Sequence, residues 1–233
     1  MIDQNAYVLH SRPYRENQLI VDLLTETEGK VSATVFVGQS KRSIKKALLQ
    51  PFLPLKVTLK SQNNFKQIKH VDSKGKSFPL VKNGLYSAFY INELLIRLLN
   101  EQIECRKLFS QYQESLSALT SSDNLNSKLR TFELALLEEL GLSFDFSPVF
   151  EHDVSHFYYI AEQGFVPIYQ ASPKDLAKCF AKPHLEDIAS QSCLTEGSPS
   201  ANTFKLLMRQ VINQLLGNKP LNSRKLFIKS SKK

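Results

Sequence analysis

The spacing of the apolar residues changes once along this chain, near Lys82, and this change constrains the fold most strongly. Before it, apolar and polar residues alternate in short blocks, which is typical of half-buried β-strands. After it, apolar residues recur at steps of three and four, which places them on one face of a helix. The sequence therefore predicts an α+β chain of two domains, a β domain over residues 1–80 and a mainly helical domain over residues 81–233.

The N-terminal part contains five short alternating blocks separated by turn residues. The blocks predict strands over Tyr7–His10, Leu19–Thr25, Val31–Val37, Leu55–Lys60 and Phe65–Val71. A short helix over Ile44–Leu49 is predicted between the third strand and the fourth, and Pro51 and Pro54 interrupt regular structure after it. This order is the plan of an OB-fold, a small Greek-key barrel whose loops and open face bind oligonucleotides. An SH3-like barrel is the alternative.

The C-terminal part contains three segments whose apolar residues repeat at helical spacing. Their apolar stripes extend over residues 91–103, 129–140 and 204–216. Ser127 can cap the start of the second helix, and Gly141 and Gly217 can supply the left-handed residues after the second and the third. We expect the three helices to form a bundle. A small β-hairpin that turns at Glu162-Gln163-Gly164 is predicted as an insertion around residues 146–170.

Charge is segregated along the chain. Residues 1–80 contain 13 Lys or Arg against 6 Asp or Glu, and residues 197–233 contain 8 against none. Residues 81–196 have the opposite balance, with 9 basic and 16 acidic side chains, and the net charge of the whole chain is +8. Two cationic regions on either side of an acidic stretch favour a polyanionic partner such as nucleic acid. Simple solubility is the alternative, because many basic proteins bind no specific polyanion.

Neither the N-terminus nor any apolar run indicates export or membrane insertion. No apolar run approaches the roughly 20 residues that a membrane-spanning helix needs, and residues 1–7 have no basic, then apolar, signal pattern. The three cysteines, Cys105, Cys179 and Cys193, form no CxxC pair and fit reduced thiols better than a disulfide framework. We therefore expect a cytoplasmic protein, which would be nucleoid-associated if its polyanionic partner is DNA.

Two loops of the predicted barrel have the composition of a nucleic-acid site. The turn after the first strand, Ser11–Asn17, contains two guanidinium groups and a phenol in the loop that OB-folds use for single strands. Arginine can bind phosphate while Tyr14 stacks on a base, which contributes about 1–3 kcal/mol per base. The loop Gly38–Lys46 adds four cations. A rigid proline turn with solvated arginines is the alternative.

The same reasoning extends to neighbouring residues and to the basic C-terminal region. Phe36 is either a second stacking platform or a side chain packed under a loop. The predicted DNA-contact residues are Arg12, Tyr14, Arg15, Lys41, Arg42, Lys45, Lys46, Arg209, Lys219, Arg224 and Lys225.

Nothing in the sequence has the spacing of a catalytic site. Lys74-Gly75-Lys76-Ser77 ends like a phosphate-binding loop, but His70 stands where the first glycine of that loop is required. His152 and His156 stand at i, i+4 with Asp153 between them, and they could be metal ligands only with further partners; a loop pair is the simpler interpretation. Glu138 and Glu139 point away from the apolar stripe of their helix, as on a solvated face. We therefore expect a non-enzymatic protein without a cofactor.

Four blocks of this sequence resemble the bacterial RecO family of recombination mediators, and they stand in that family's order. The blocks are Ala6–Tyr14, Tyr90–Leu95, Leu129–Leu137 with Leu140-Gly141, and Leu216–Arg224. The resemblance implies an OB-fold followed by a helical domain. It also implies binding of single- and double-stranded DNA, annealing of complementary strands, and help in loading the recombinase RecA onto DNA coated with single-stranded DNA-binding protein (SSB) in the RecFOR pathway.

The resemblance further implies two protein partners, RecR and the acidic, Phe-ending tail of SSB, the latter on the helical domain. Such a tail needs a cation beside an apolar pocket. The residues that could receive it are Lys128, Leu129, Arg130 and Phe132. The alternative is that Arg130 only pairs with Glu133, three residues later.

One feature departs from the family's pattern. Many RecO relatives have a four-cysteine zinc site in the region that corresponds to Phe146–Ile168, and this chain has no cysteine there. We therefore expect the hairpin to form without a metal.

Two other functions stay open. One is an OB-fold protein that acts on ribosomal or transfer RNA, because sequence does not reveal contacts to the 2′-hydroxyl. The other is a nuclease, which the dispersed carboxylates disfavour.

Overall fold

The computed structural model describes residues 1–38, 44–62, 65–121, 123–170, 172, 178–190 and 197–230. The chain forms two compact units, of which the first comprises Met1–Ser122 with Leu221–Lys233 and the second comprises Asp123–Pro220. The chain thus leaves the first unit once and returns to it at its C-terminal end. Among the described residues, no helix has the length and apolar content needed to cross a membrane.

The first unit is built on a closed five-stranded barrel. Its strands are β1 (Ile2–Pro13), β2 (Gln18–Thr25), β3 (Gly29–Phe36), β4 (Leu55–Gln62) and β5 (Phe65–Ser73). They are ordered β1-β2-β3-β5-β4, with β4 paired back to β1, and only the β3–β5 pair is parallel. Helix α1 (Ile44–Leu48) lies between β3 and β4. The five strands, the short helix and the OB-fold prediction are confirmed.

Alternation along the strands fills the barrel. In β3, Val31, Ala33 and Val35 are buried in the core while Ser32 and Thr34 between them point outward. Strand β1 is longer than predicted at both ends. Polar residues near its start interrupt the apolar pattern, and Ser11–Pro13, which were predicted to belong to the turn, continue the strand and pair with β2. One of them, Gln4, is nevertheless buried, and its side-chain oxygen accepts hydrogen bonds from the backbone and hydroxyl of Thr27.

Two helices, α2 (Lys82–Leu98) and α3 (Arg106–Ala118), complete this part of the first unit. Asn92 donates a side-chain hydrogen bond to the carbonyl of Leu9 in β1 at 3.0 Å, and the Tyr112 hydroxyl donates to the Asn92 side-chain oxygen at 2.7 Å. The expectation of one three-helix bundle is therefore wrong, because α2 belongs to the unit of the barrel. The change from strands to helices lies near the predicted boundary after residue 80, whereas the compact units divide after Ser122, and the domain assignment itself stays a prediction.

The second unit combines helices with a small sheet. Its elements are α4 (Leu125–Glu139), α5 (Ser147–Glu151), β6 (His156–Ile160), β7 (Gly164–Pro167), β8 (Phe180–Ala181), α6 (Lys182–Ala189) and α7 (Pro199–Leu215). Strands β6 and β7 confirm the predicted hairpin, and the two-residue β8 adds to the other edge of β6. An aromatic cluster covers the hairpin, in which the rings of Phe146 and Phe165 stack with centroids 4.9 Å apart.

The ends of the long helices agree only in part with the predicted caps. Helix α4 begins two residues before Ser127, with the left-handed Asn124 at its N-cap, so the prediction of a Ser127 cap is wrong. Gly141 and Gly217 have φ angles of 71° and 60° after α4 and α7, as predicted. At the start of α7, the Ser198 hydroxyl oxygen accepts a hydrogen bond from the Ala201 amide.

Candidate nucleic-acid interface

The outward side of strands β1, β2 and β3 is divided into a covered half and an open half. In the covered half, the ring of Tyr7 contacts those of Phe109 and Tyr112 in α3, and the Lys30 amine donates to the carbonyl of Ile96 in α2. Leu24, which pairs with Tyr7 across the strands, is fully buried. Among the described residues, the helices therefore cover one half of this surface and leave the other half open.

We call the open half the open face and define it by its outward side chains. They are Arg12, Gln18, Ile20, Thr34 and Phe36. Ile20 lies between Arg12 and Thr34 in one row across the strands, and Gln18 pairs with Phe36 in the row beyond it. None of these five side chains is buried, and an OB-fold binds oligonucleotides on this surface.

A buried carboxylate fixes the position of Arg12 on this face. The Arg12 Nη1 donates to Asp22 Oδ2 at 3.0 Å, and the Ser32 hydroxyl donates to Asp22 Oδ1 at 2.7 Å. The Asp22 side chain is 8% exposed, whereas that of Arg12 is 50% exposed. Asp22 offsets part of the charge, but guanidinium has five N–H donors in a planar fork, and the outer donors of Arg12 stay available to a phosphate.

The turn between β1 and β2 presents the predicted aromatic residue together with its neighbouring cation. The Arg15 guanidinium carbon lies 5.1 Å from the centroid of the Tyr14 ring, within the range of a cation–π contact. Two backbone hydrogen bonds of 3.1 Å, from Tyr14 to Gln18 and from Gln18 to Arg15, close the turn. The guanidinium lies over one face of the Tyr14 ring, and Tyr14 as a whole residue is still 44% exposed.

This turn is tied to the end of β3, next to a second exposed aromatic residue. Asn17 has a left-handed φ of 63°, and its carbonyl accepts a hydrogen bond of 2.9 Å from the Val37 amide. Phe36, the residue before Val37, is 56% exposed. This exposure is compatible with a stacking platform, and because residues 39–43 of the following loop lie outside the described residues, both interpretations of Phe36 stay open.

The remaining predicted DNA contacts divide into three groups. Lys45 and Lys46 are exposed on α1, and Lys41 and Arg42 lie outside the described residues. Arg209 and Lys219 are exposed in the second unit. Half-buried Arg224 and exposed Lys225 begin helix α8 (Arg224–Ser230), which belongs to the first unit. The predicted C-terminal contacts therefore belong to two different compact units.

Sequence reasoning missed the residue that anchors α8. Glu93 in α2 accepts backbone hydrogen bonds from Asn222 at 2.9 Å and from Ser223 at 2.8 Å, and a third bond of 2.7 Å from the Ser223 hydroxyl. Burial would raise the pKa of the Glu93 carboxyl, but the bonds from Ser223 and Asn222 and the nearby Arg97 guanidinium outweigh it and lower that pKa. Glu93 and its partners Asn222 and Ser223 lie in two of the sequence blocks that resemble the RecO family. This resemblance was the signal in the sequence that could have indicated the contact.

The residues predicted to receive a partner tail are arranged differently from an open pocket. Within α4, Phe132 is fully buried, Leu129 is buried and Lys128 is half-buried. Arg130 forms an ion pair with Glu133, whose side chain is completely buried. The ion pair between Arg130 and Glu133 that the alternative invoked is therefore formed, and docking of a tail at these residues stays a prediction.

No metal centre is formed by the part of the chain that the structure describes, because nowhere in it do three His, Cys, Asp or Glu residues come together in a suitable arrangement. In the hairpin region, His152 instead forms a hydrogen bond of 3.2 Å with the hydroxyl of Tyr169.

Comparison with known proteins identifies the family. A family model described as "Recombination protein O N terminal" matches residues 1–75, and one described as "Recombination protein O C terminal" matches residues 83–164. This chain belongs to the RecO family. Proteins named "DNA repair protein RecO" are similar over nearly their full length. The one from Pseudoalteromonas atlantica is 37% identical over 230 residues, which cover 96% of this chain and 92% of the relative.

Two further relatives have the same name and a similar match. The protein from Hahella chejuensis is 37% identical over 231 residues, covering 96% of this chain and 94% of the relative. The protein from Tolumonas auensis is 38% identical over 228 residues, which cover 95% of this chain and 93% of the relative.

The RecO resemblance seen in separate blocks of sequence has a physical counterpart in the first unit. The contact from Asn92 to Leu9 joins the block of α2 to the opening block, and the contacts from Glu93 to Asn222 and Ser223 join it to the C-terminal block. These side chains hold the barrel, α2 and the start of α8 together.

Proposed function

We propose that this RecO-family chain is a DNA repair and recombination mediator. It binds single- and double-stranded DNA, anneals complementary strands and helps to load RecA onto SSB-coated DNA. The observation that carries the proposal is the exposed Tyr14–Arg15 pair beside exposed Phe36, at one end of the open face of an OB barrel. The names of its relatives as DNA repair proteins support the same function.

Single-strand binding follows from the chemistry of this end of the barrel. An unpaired base can stack on an exposed aromatic ring, and both Tyr14 and Phe36 offer one. The guanidinium groups of Arg12 and Arg15 then bind the phosphates beside that base. A duplex keeps its bases stacked on each other and cannot use the rings, so single strands gain a contact that double strands lack.

Annealing needs cations but no catalytic group. Two DNA strands repel each other through their phosphates, and cationic side chains that bind phosphates reduce this repulsion while the bases find their partners. The open face holds one strand, and the cations at Arg209, Lys219, Arg224 and Lys225 contact the phosphates of the second. The rate of annealing should therefore fall steeply as salt rises.

A pair of matched variants tests the proposal. Arg15→Ala should weaken binding of single-stranded DNA and slow annealing, while Lys76→Ala, an exposed cation of the same unit, should change neither. Lys76 follows Lys74, whose amine donates to Asn5 near the opposite end of β1 from Arg12, so the control lies away from the open face. Equal effects of the two substitutions would contradict the proposal.

The same binding assay separates DNA from RNA. Unlabelled DNA and unlabelled RNA of the same sequence are added in parallel as competitors for a labelled DNA oligomer. The proposal expects unlabelled DNA to displace the labelled oligomer at least as well as RNA does. Competition by RNA alone would instead assign the barrel to ribosomal or transfer RNA.

The partner part of the proposal is tested by annealing on coated DNA. With SSB bound to the strands, the wild-type chain should still anneal them, and an SSB that lacks its acidic tail should abolish this activity without affecting annealing of bare DNA. Co-purification with RecR tests the other partner. Annealing that does not depend on the tail would contradict a direct SSB contact.

A further inference from the structure

The chain returns to the barrel unit through a short segment that is held at its first residues. Leu221 and Ser223 are buried, at 2% and 6% exposure, although they directly precede the cationic start of α8. Further along, the ring of Phe227 packs edge-to-face on Tyr86 of α2 with centroids 5.6 Å apart. The segment is therefore docked on α2 at two points, one polar and one aromatic.

The polar point depends on a single carboxylate. Glu93 accepts three hydrogen bonds from Asn222 and Ser223, and bonds to an ionised acceptor are roughly twice as strong as neutral ones. The side-chain oxygen of Asn222 in turn accepts a bond of 3.2 Å from the Lys225 amine. A chain of contacts thus runs from α2 through Glu93 and Asn222 to a cation of α8.

We propose that Glu93 is a positioning residue for DNA binding. By holding Asn222 and Ser223 it fixes the backbone from which Arg224 and Lys225 reach the phosphates of DNA. This inference rests on the proposed DNA-binding function and adds to it a residue that does not touch DNA.

The direction of the effect distinguishes positioning from simple charge. A carboxylate near phosphate-binding cations repels DNA, so neutralising it should strengthen binding if only its charge matters. Positioning has the opposite consequence: without its carboxylate the segment loosens, the two cations lose their fixed places, and DNA binds less tightly although the protein has become more positive.

The experiment uses the full chain with Glu93→Gln, and Glu114→Gln as the control. Glu114 is an exposed residue of α3 in the same unit, and its substitution changes the net charge equally. Hydrogen–deuterium exchange should show lost protection in residues 221–230 of Glu93→Gln, with the barrel strands unchanged. DNA affinity should fall about three- to tenfold, and the slope of log affinity against log salt should decrease by about 1–2, because each lost phosphate contact lowers it by about 0.9.

A milder variant keeps the test valid if Glu93→Gln does not fold, and a combined variant tests whether Glu93 acts through Arg224 and Lys225. Ser223→Ala removes only the hydroxyl bond to Glu93 and should act in the same direction with a smaller loss. Substitution of Arg224 and Lys225 by alanine should weaken DNA binding in the wild-type chain but add little in the Glu93→Gln chain. Full additivity would overturn the inference.

The outcomes separate the two proposals. Unchanged protection of residues 221–230 in Glu93→Gln would overturn positioning, whatever DNA does. Lost protection with unchanged or tighter DNA binding would overturn the role of this segment in DNA binding, while the Arg15→Ala comparison still decides whether the open face binds DNA.

Discussion

An arginine lies near an aromatic residue in sequence both in the β1–β2 turn and in α4, and the two places differ in exposure. At the turn, Arg15 lies over the exposed ring of Tyr14. In α4, Phe132 is fully buried and Arg130 pairs with the buried carboxylate of Glu133. The comparison teaches that a cation near an aromatic residue in sequence is available to a partner only where the fold leaves both exposed.

The largest effect is expected on the buried side of this comparison. Arg130→Ala leaves the Glu133 carboxylate buried without its guanidinium partner, which should lower the free energy of unfolding by about 3–5 kcal/mol. Chemical denaturation followed by circular dichroism measures it. The double substitution Arg130→Met with Glu133→Leu should be nearly neutral, because it removes both charges. A decrease in the free energy of unfolding of less than about 1 kcal/mol for Arg130→Ala would contradict this expectation, because it is the size of effect found for ordinary surface ion pairs.

On the exposed side, truncation should affect binding and not stability. Tyr14→Ala and Phe36→Ala should each weaken binding of single-stranded DNA by about 1–3 kcal/mol, the contribution of one stacked base. Binding of double-stranded DNA should change much less, because duplex bases are not available to stack. Fluorescence anisotropy with both DNA forms measures the difference, and an equal loss for both forms would show that the rings do not stack on bases.

The anchor at Glu93 gives an effect that depends on pH. Its pKa is lower in the folded chain than the ordinary value of 4.5, so its stabilising effect is fully present above that value and is lost as pH falls through the lowered pKa. The wild-type chain should exceed Glu93→Gln in unfolding free energy by about 1–2 kcal/mol at pH 7. Denaturation at several pH values should show this difference shrinking below about pH 4.5. A difference that grows in acid would contradict the assigned sign.

The smallest effect is expected for a cation outside the open face. Lys45→Ala removes one exposed charge of α1, which should reduce the salt slope of DNA binding by at most about 0.9 and leave stability within about 0.5 kcal/mol. Titrations at several salt concentrations measure this slope. A loss as large as that of Tyr14→Ala would extend the binding surface to α1.

Sequence reasoning predicted the barrel because alternation leaves a clear signal in strands with one buried face, as in β3 from Val31 to Val35. It missed the start of β1, where Gln4 is buried by hydrogen bonds and not by apolar character. It also did not indicate that α2 belongs to the compact unit of the barrel, because helical periodicity does not reveal that Asn92 bonds to a distant strand.

The candidate site was predictable to the same extent. Tyr14 and Arg15 lie in the turn that follows β1 and Arg12 lies at the end of that strand, so their nearness in sequence is enough to place them near each other. Asp22, which fixes Arg12, and Glu93, which fixes the start of α8, act across the fold. Such contacts depend on strand pairing and helix packing, for which single-sequence patterns contain no direct signal.

Ultraviolet crosslinking of the full chain to single-stranded DNA, mapped by mass spectrometry, tests the central claim most directly. Stacked bases lie against the rings that bind them, so the account predicts crosslinked peptides that contain Tyr14 and Phe36, at a yield that falls as salt rises. Crosslinks found only in residues 123–220, with none in β1, β2 or β3, would contradict it.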